Sequence, residues 1–455
     1  MSAPATTEKK YLKWYQKLAY GSGDLASNCS YGLVSSFVLL YLTGTLGLDS
    51  AIIGSLMLAS KVLDGISDVI FGTLIDRTHS KLGKARPWML FGQVGVSLCL
   101  FLLFAIPAGS TTMQYIYFFI VYTALNAVFY TANGIAYSSL VALITKNNNE
   151  RVQLGSFRFM FAVATNIFMG FAVTGMVEKF GSGAAGWRTT ALIFAIVGLV
   201  VNTISCLAVK ELPEKELSDN TSEAAEEGKA VAEEKKHGFA ETAKILVHNK
   251  YYLMILAIYI VYYIMSNLTT GAGVFCATYY WGDGSLLGQF SMMKMFPVII
   301  ALAIAPVLIK KTGSMQKVNF WGYAISSVLG IPMIYFAMQK NLSMFLLFMF
   351  IKGIFAGTLS GSLNALIAEA SGYTTRTTGI HMDGMMYSCS SLGVKVGGGI
   401  GTAAVGWLLK LGGFVGTATV QSESAIRMIF NLYITFPFVI GIIITVLLAF
   451  LDVEK

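Results

Sequence analysis

Apolar and polar residues in this chain alternate on the length scale of a bilayer. Twelve runs rich in Leu, Ile, Val, Phe, Ala and Gly occupy roughly residues 20–46, 50–75, 88–108, 113–144, 154–177, 187–209, 251–280, 286–309, 318–338, 343–368, 379–409 and 426–450, with polar breaks between them. A helix rises about 1.5 Å per residue, so about 20 residues cross ~30 Å of hydrocarbon, and each run predicts a spanning helix. In hydrocarbon every backbone polar group needs a partner, and a helix supplies one within its own segment. The expected fold class is an all-α membrane protein.

One polar break is long. Residues 210–250, beginning KELPEKELSDNTSEAAEEGKAVAEEKKHGF, are rich in Glu, Lys, Ala and Ser and poor in aromatics, the composition of a linker. It divides the chain into six-helix halves at 20–209 and 251–450, with tails at 1–19 and 451–455. Six helices, a linker and six more is the layout of the major facilitator fold, in which two bundles rock about a midplane site.

The second run is interrupted in a way that invites a function. Ser60 to Trp88 reads SKVLDGISDVIFGTLIDRTHSKLGKARPW, apolar in its first half except for Lys61, Asp64 and Asp68. On a helix Asp64 and Asp68 are i and i+4 on one face, with Lys61 a turn before Asp64. Buried carboxylates are costly unless protonated or matched by a cation, which is what a coupling-ion site requires. The alternative is a Lys–Asp pair that only ties two helices together.

Composition agrees with a membrane protein. The chain is 55% hydrophobic and 12% charged, about half the charge of an average soluble protein, with a mean hydropathy of +0.66. Cysteines at 29, 99, 206, 276 and 389 show no ligand or disulfide spacing. The polar N-terminus MSAPATTEKKYLKWYQK lacks the apolar core of a signal peptide. The net charge of +8 suggests nucleic acid until its distribution is examined. With both termini cytoplasmic, only Lys179, Arg188, Lys340, Lys410 and Arg427 fall on the outer side, and Lys61, Arg158, Lys294, Lys352 and Lys395 fall within spans. The remaining Lys and Arg lie in tails and inner loops, so the excess charge reports orientation in a cell membrane and no nucleic-acid partner is expected. Cations within spans are functional candidates; Lys294 and Lys352 could instead snorkel to the outer surface.

Tyr279, Tyr280 and Trp281 suit an interfacial belt, and Gly397–Gly401, set in an apolar run without a Walker ending, suits close helix packing.

The longer signatures resemble one family. The stretch from Lys61 to Trp88, the opening Tyr20-Gly-Ser-Gly-Asp24-Leu-Ala-Ser-Asn28, the segment Leu154-Gly-Ser-Phe-Arg158-Phe, and the series Glu369, Tyr373, Gly379, Asp383, Gly384 and Lys395 resemble the glycoside–pentoside–hexuronide:cation symporters, the melibiose permease-like branch of the major facilitator superfamily. The resemblance implies a cation site at Asp64 and Asp68, with Thr131 as an oxygen ligand and Ser67 where the sodium-using melibiose permease has Asn. Carboxylate and hydroxyl oxygens suit Na⁺ at Asp64 and Asp68, but the shorter Ser67 weakens that cage and favours H⁺. Lys395 would be a charge partner of that site, as Lys61 is. The sugar site would be lined by Asn28, Asn133, Tyr137, Ser138, Arg158 and Lys395, and by Asp24 unless that residue caps the cytoplasmic start of the first helix. Two acidic sugar anchors are absent, at Asn28 and Gly134, and a stacking Trp is replaced by Ser138. The surplus of cations implies a substrate bearing a carboxylate, such as a glucuronide or other hexuronide, with Arg158 as bidentate partner and Lys294 and Lys352 as further contacts. Asp76, Arg77, Arg86, Arg151, Glu369 and Asp383, with Glu150 and Arg376 beside them, are expected to form the cytoplasmic gate, and His381 stands where the family usually has Arg.

The function expected is secondary active transport: H⁺- or Na⁺-coupled symport of a glycoside, without a cofactor, by a monomer. A proton-driven carrier or exporter of a non-sugar amphiphile is an alternative within transport, and a transporter-like sugar sensor is one outside it. No nucleophile–base or metal constellation supports an enzyme.

Overall fold

The hydrophobic periods resolve into helices throughout the residues that the computed structural model describes, 9–213, 249–378, 383–418 and 420–451. In order they are α1 Trp14–Thr45, α2 Ser50–Asp76, α3 Arg86–Leu103, α4 Thr111–Ile144, α5 Asn148–Lys179 and α6 Gly183–Leu207, then α7 Lys250–Tyr280, α8 Leu286–Thr312, α9 Met315–Met338, α10 Leu342–Thr378, α11 Asp383–Leu411 and α12 Glu423–Phe450. Among the described residues eleven helices are long and apolar enough to cross a membrane; α2, with 27 residues, completes the twelve and carries Lys61, Asp64 and Asp68.

The turns follow from local chemistry. Helix α8 stops at Gly313, whose φ of 66° is left-handed, and Ser314 then accepts a hydrogen bond from the N–H of Lys317 to cap α9. Ser110, Asn147, Asn249 and Ser422 cap α4, α5, α7 and α12 in the same way. Among the described residues four helices contain π-helical turns, at Tyr41–Thr45, Ala124–Tyr130, Cys276–Tyr280 and Asn431–Thr435. The first and third end α1 and α7, the opening helices of the two halves. Such turns admit an extra residue and shift the hydrogen-bond frame, which no apolar period reveals.

The chain forms two compact units. The first holds α1 up to Tyr41 and everything from Ala59 through α6; the second holds α7–α12 and also Leu42–Leu58, the turn after α1 and the opening turns of α2. That segment belongs to the second unit because it is bonded to α11. Ser50 Oγ donates to the Gly406 carbonyl at 2.9 Å, Trp407 Nε1 donates to Ser55 Oγ at 2.9 Å, and Lys410 pairs with Asp49 at 2.6 Å. The core of the first unit gathers Tyr20, Met89, Tyr137, Leu140 and Leu154; that of the second gathers Ile258, Tyr323, Leu359, Ile367 and Ile444. The Gly-rich run of α11 does serve packing: a Cβ at Gly397 would lie 2.4 Å from the Ile260 carbonyl oxygen of α7. Large apolar side chains such as Val62, Ile66 and Val69 of α2 remain exposed, as a lipid-facing surface requires.

Candidate functional site

The glycines of the opening motif determine the first cluster. A Cβ at Gly21 would meet the Phe157 side chain at 2.5 Å, and one at Gly23 would meet the Tyr137 ring at 2.7 Å, so only glycine lets α1 approach α4 and α5 this closely. At that distance Asp24 reaches Arg158, whose Nε donates to Asp24 Oδ2 at 2.6 Å. The guanidinium lies 4.2 Å from the Tyr137 ring centroid, a cation–π contact. Tyr137 is itself held by Tyr20: the rings meet at a tilt with centroids 4.7 Å apart, and each hydroxyl donates to the other residue's carbonyl. Asn28 donates to the Asp24 carbonyl and accepts from Asn166 of α5 at 2.8 Å. Asp24, Asn28, Arg158 and Asn166 thus form one partly exposed polar array. Asn166 was missed from sequence, although a polar residue two turns beyond Arg158 in an apolar helix was a signal.

Two expected sugar contacts are placed otherwise. Asn133 is buried against α3, donating to Gln93 Oε1 at 2.9 Å and the Met89 carbonyl at 3.2 Å. Tyr137 is buried beneath Arg158 and offers no free ring face. Their neighbours do open outward: a Cβ at Gly134 would meet nothing within 4 Å, and Ser138 is exposed.

The second cluster joins α2 to α4. Lys61 Nζ lies 3.6 Å from Asp64 Oδ2 and 5.4 Å from the Tyr31 ring, which stacks on Tyr130. The Thr131 hydroxyl lies 2.6 Å from Asp64 Oδ1 and 2.8 Å from the Asn126 carbonyl, which belongs to the π turn of α4. Its single proton can serve only one of these acceptors at a time. Ser67 donates to the backbone carbonyl of Asp64, and Asp68 follows one turn later, half-buried. The aromatic pair around Lys61 had no signature in the sequence.

In the second unit Lys294 of α8 and Lys352 of α10 line a common cavity, with Lys294 Nζ 3.1 and 3.3 Å from the hydroxyls of Thr269 and Thr270. Lys395 is half-buried on α11.

The expected gate residues divide. Arg86 is buried, with Nε donating to the Cys206 carbonyl, while Glu211 accepts from the N–H groups of Lys84, Ala85 and Arg86 at the start of α3. Arg151 donates to the Thr145 carbonyl. Glu150 is buried and anchors the N-terminal segment, 3.0 Å from Lys17 and accepting from the N–H groups of Tyr11 and Leu12. Asp76 and Arg77 are exposed, and Glu369 is half-buried on α10. The side chains of Arg376 and Asp383, and residues Gly379 and His381, lie outside the described residues.

Comparison with known proteins agrees with this architecture. A model of the MFS/sugar transport protein family matches residues 19–455. The chain is 26% identical to the isoprimeverose transporter of Lactiplantibacillus pentosus, over 100% of this chain and 93% of that protein. It is 24% identical to the inner membrane symporter YicJ of Escherichia coli (strain K12), over 94% of this chain and 90% of that protein. The crystal structure of the nucleoside transporter NupG matches with a TM-score of 0.59 at 12% identity, covering 95% of this chain and 98% of that one, a likeness of fold. Family and fold are those of transporters rather than enzymes. With eleven membrane-capable helices among the described residues and a family match over nearly its whole length, the chain belongs to the MFS/sugar transport protein family.

Proposed function

We propose that the protein is a proton-coupled glycoside symporter of the cell membrane, monomeric and with both termini cytoplasmic. It would work by alternating access. The observation that carries the ion assignment is the Thr131 hydroxyl, held at hydrogen-bond distance from both Asp64 and the Asn126 carbonyl. One hydroxyl proton cannot satisfy both, and a proton arriving on Asp64 completes the pair: Asp64 donates to Thr131, and Thr131 donates to Asn126. Sodium would compete with the Lys61 ammonium beside the same carboxylate, and Ser67 already bonds within its own helix. Asp68 follows one turn away on the same helix, half-buried. The sugar hydroxyls would meet Asp24, Asn28 and Arg158, with Asn166 supporting them and Ser138 at the edge. Proton binding and sugar binding would each favour the other by the same free energy, so the doubly loaded carrier crosses readily.

The test is uptake of labelled p-nitrophenyl glucoside and p-nitrophenyl glucuronide into proteoliposomes under an imposed proton or sodium gradient. Accumulation should follow the proton gradient and vanish in Asp64→Asn. Accumulation driven only by sodium would reverse the ion assignment. Gradient-driven uptake surviving in both Asp64→Asn and Asp68→Asn would remove α2 from the coupling mechanism, and binding without flux would make the protein a sensor.

A further inference from the structure

The second unit contains a cavity of about 180 Å³ lined by residues of α7, α8, α9, α10 and α12. Two ammonium groups, Lys294 and Lys352, line it, and among the described lining residues there is no carboxylate. Lys294 is turned inward, onto the hydroxyls of Thr269 and Thr270, so it does not snorkel to the membrane surface. Lys352 has no hydrogen bond or ion pair among the described residues. The Tyr323 hydroxyl, on a side chain only 1% exposed, also reaches this wall without a hydrogen-bond partner. The same cavity is lined by Ser266, by Ser360, whose hydroxyl is hydrogen-bonded to the Tyr262 hydroxyl at 2.7 Å, and by several methionines.

Around one space stand two cations with no carboxylate among the described lining residues and a phenol hydroxyl without a hydrogen-bond partner. Intramembrane cations are costly without a counter-charge, and a buried hydroxyl is costly without a hydrogen bond. An entering oxyanion would supply the missing counter-charge and an acceptor for the phenol. The cavity is too large for a monatomic ion alone, and its serine hydroxyls suit a polyol while the methionine side chains suit the apolar face of a ring. We propose that this cavity is an oxyanion site for the transported solute, binding the carboxylate of a sugar acid between Lys294 and Lys352 with Tyr323 as third donor. The proposal rests on the glycoside-transport reading and adds a site in the half of the molecule that this reading leaves without a substrate contact.

Equilibrium binding of p-nitrophenyl glucuronide and p-nitrophenyl glucoside to the purified full chain tests it. The ratio of the two affinities should favour the glucuronide in the unaltered protein. It should fall at least about tenfold in Lys352→Gln and Lys294→Gln, and about threefold in Tyr323→Phe. If the lysine variants fail to fold, the ratio in Tyr323→Phe decides. A ratio unaltered in the folded variants overturns the proposal and leaves glycoside transport standing. Inorganic phosphate or chloride competing as strongly as the glucuronide would assign the cavity to a free anion and also overturn it. If neither sugar binds, the glycoside reading falls and the proposal with it.

Discussion

In the first unit Arg158 lies 2.6 Å from Asp24 and Lys61 lies 3.6 Å from Asp64, so each of these basic side chains has an acid beside it. In the second, Lys294 meets threonine hydroxyls, and Lys352 looks into a cavity lined by hydroxyl groups, methionines and aromatic rings. A paired charge inside a membrane is locally neutral and needs nothing from outside. A cation without an acid carries a standing cost that a ligand can remove. By this criterion the charges of the first unit are matched within it, while those of the second leave room for a negative group.

The contrast can be broken by giving the second unit what the first already has. Met349 lines the cavity one turn before Lys352, so Met349→Glu places a carboxylate at i,i+3, the spacing of Lys61 and Asp64. Glucuronide binding should weaken on the order of 100-fold, while the thermal midpoint of the purified protein holds or rises. A falling midpoint with binding intact would show that the lysines need no counter-charge.

The first unit's pairing can be dissected in turn. Arg158→Ala strands the Asp24 carboxylate and Asp24→Ala strands the guanidinium, each lowering unfolding stability by about 3 kcal/mol. The double variant should lose less than the sum, and a cycle of denaturation midpoints measures the difference. Additive losses would mean that the 2.6 Å contact contributes no coupling.

Packing offers a smaller perturbation. Gly397→Ala must push α11 away from the Ile260 carbonyl, and should cost about 1–3 kcal/mol, read as a lower thermal midpoint. The cavity lysines should keep their glucuronide preference. Loss of that preference would make the α7–α11 spacing part of the binding geometry.

The smallest effect is expected at Asp49. Burial opposes its ionisation, but hydrogen bonds from Lys410 and from the N–H groups of Ile52 and Ala51 outweigh that and hold its carboxyl below the usual carboxylate range. A lowered folded value means that the contribution is complete above about pH 3.9, where an unfolded Asp titrates, and is lost as pH falls through the folded value. Because the Lys410 side chain is 59% exposed, the pair contributes under about 1 kcal/mol. Asp49→Asn should lower the thermal midpoint slightly at pH 7 and not at pH 2. A gap unchanged at pH 2 would trace the effect to the helix-start hydrogen bonds instead.

The amino-acid sequence by itself determined the apolar spans and which charges interrupt them. It could do so because a chain in a bilayer has to bond its own backbone, so that run length translates directly into helices. It also carried the Asp64–Thr131 and Lys61–Asp64 relations, through signature and spacing. Tertiary structure decided which way each polar side chain faces. Adjacent residues on a helix differ by about 100° around its axis, so Asn133 turns into α3 while Gly134 faces open space, and Tyr137 lies under Arg158 while Ser138 is exposed. Assignment of Leu42–Leu58 to the second unit, the π turn that presents the Asn126 carbonyl to Thr131, and the meeting of Lys294, Lys352 and Tyr323 around one cavity likewise depend on how helices rotate and pack. Hydrophobicity fixes how much of a helix is apolar; packing against its neighbours fixes its rotation, and with it the chemistry of the site.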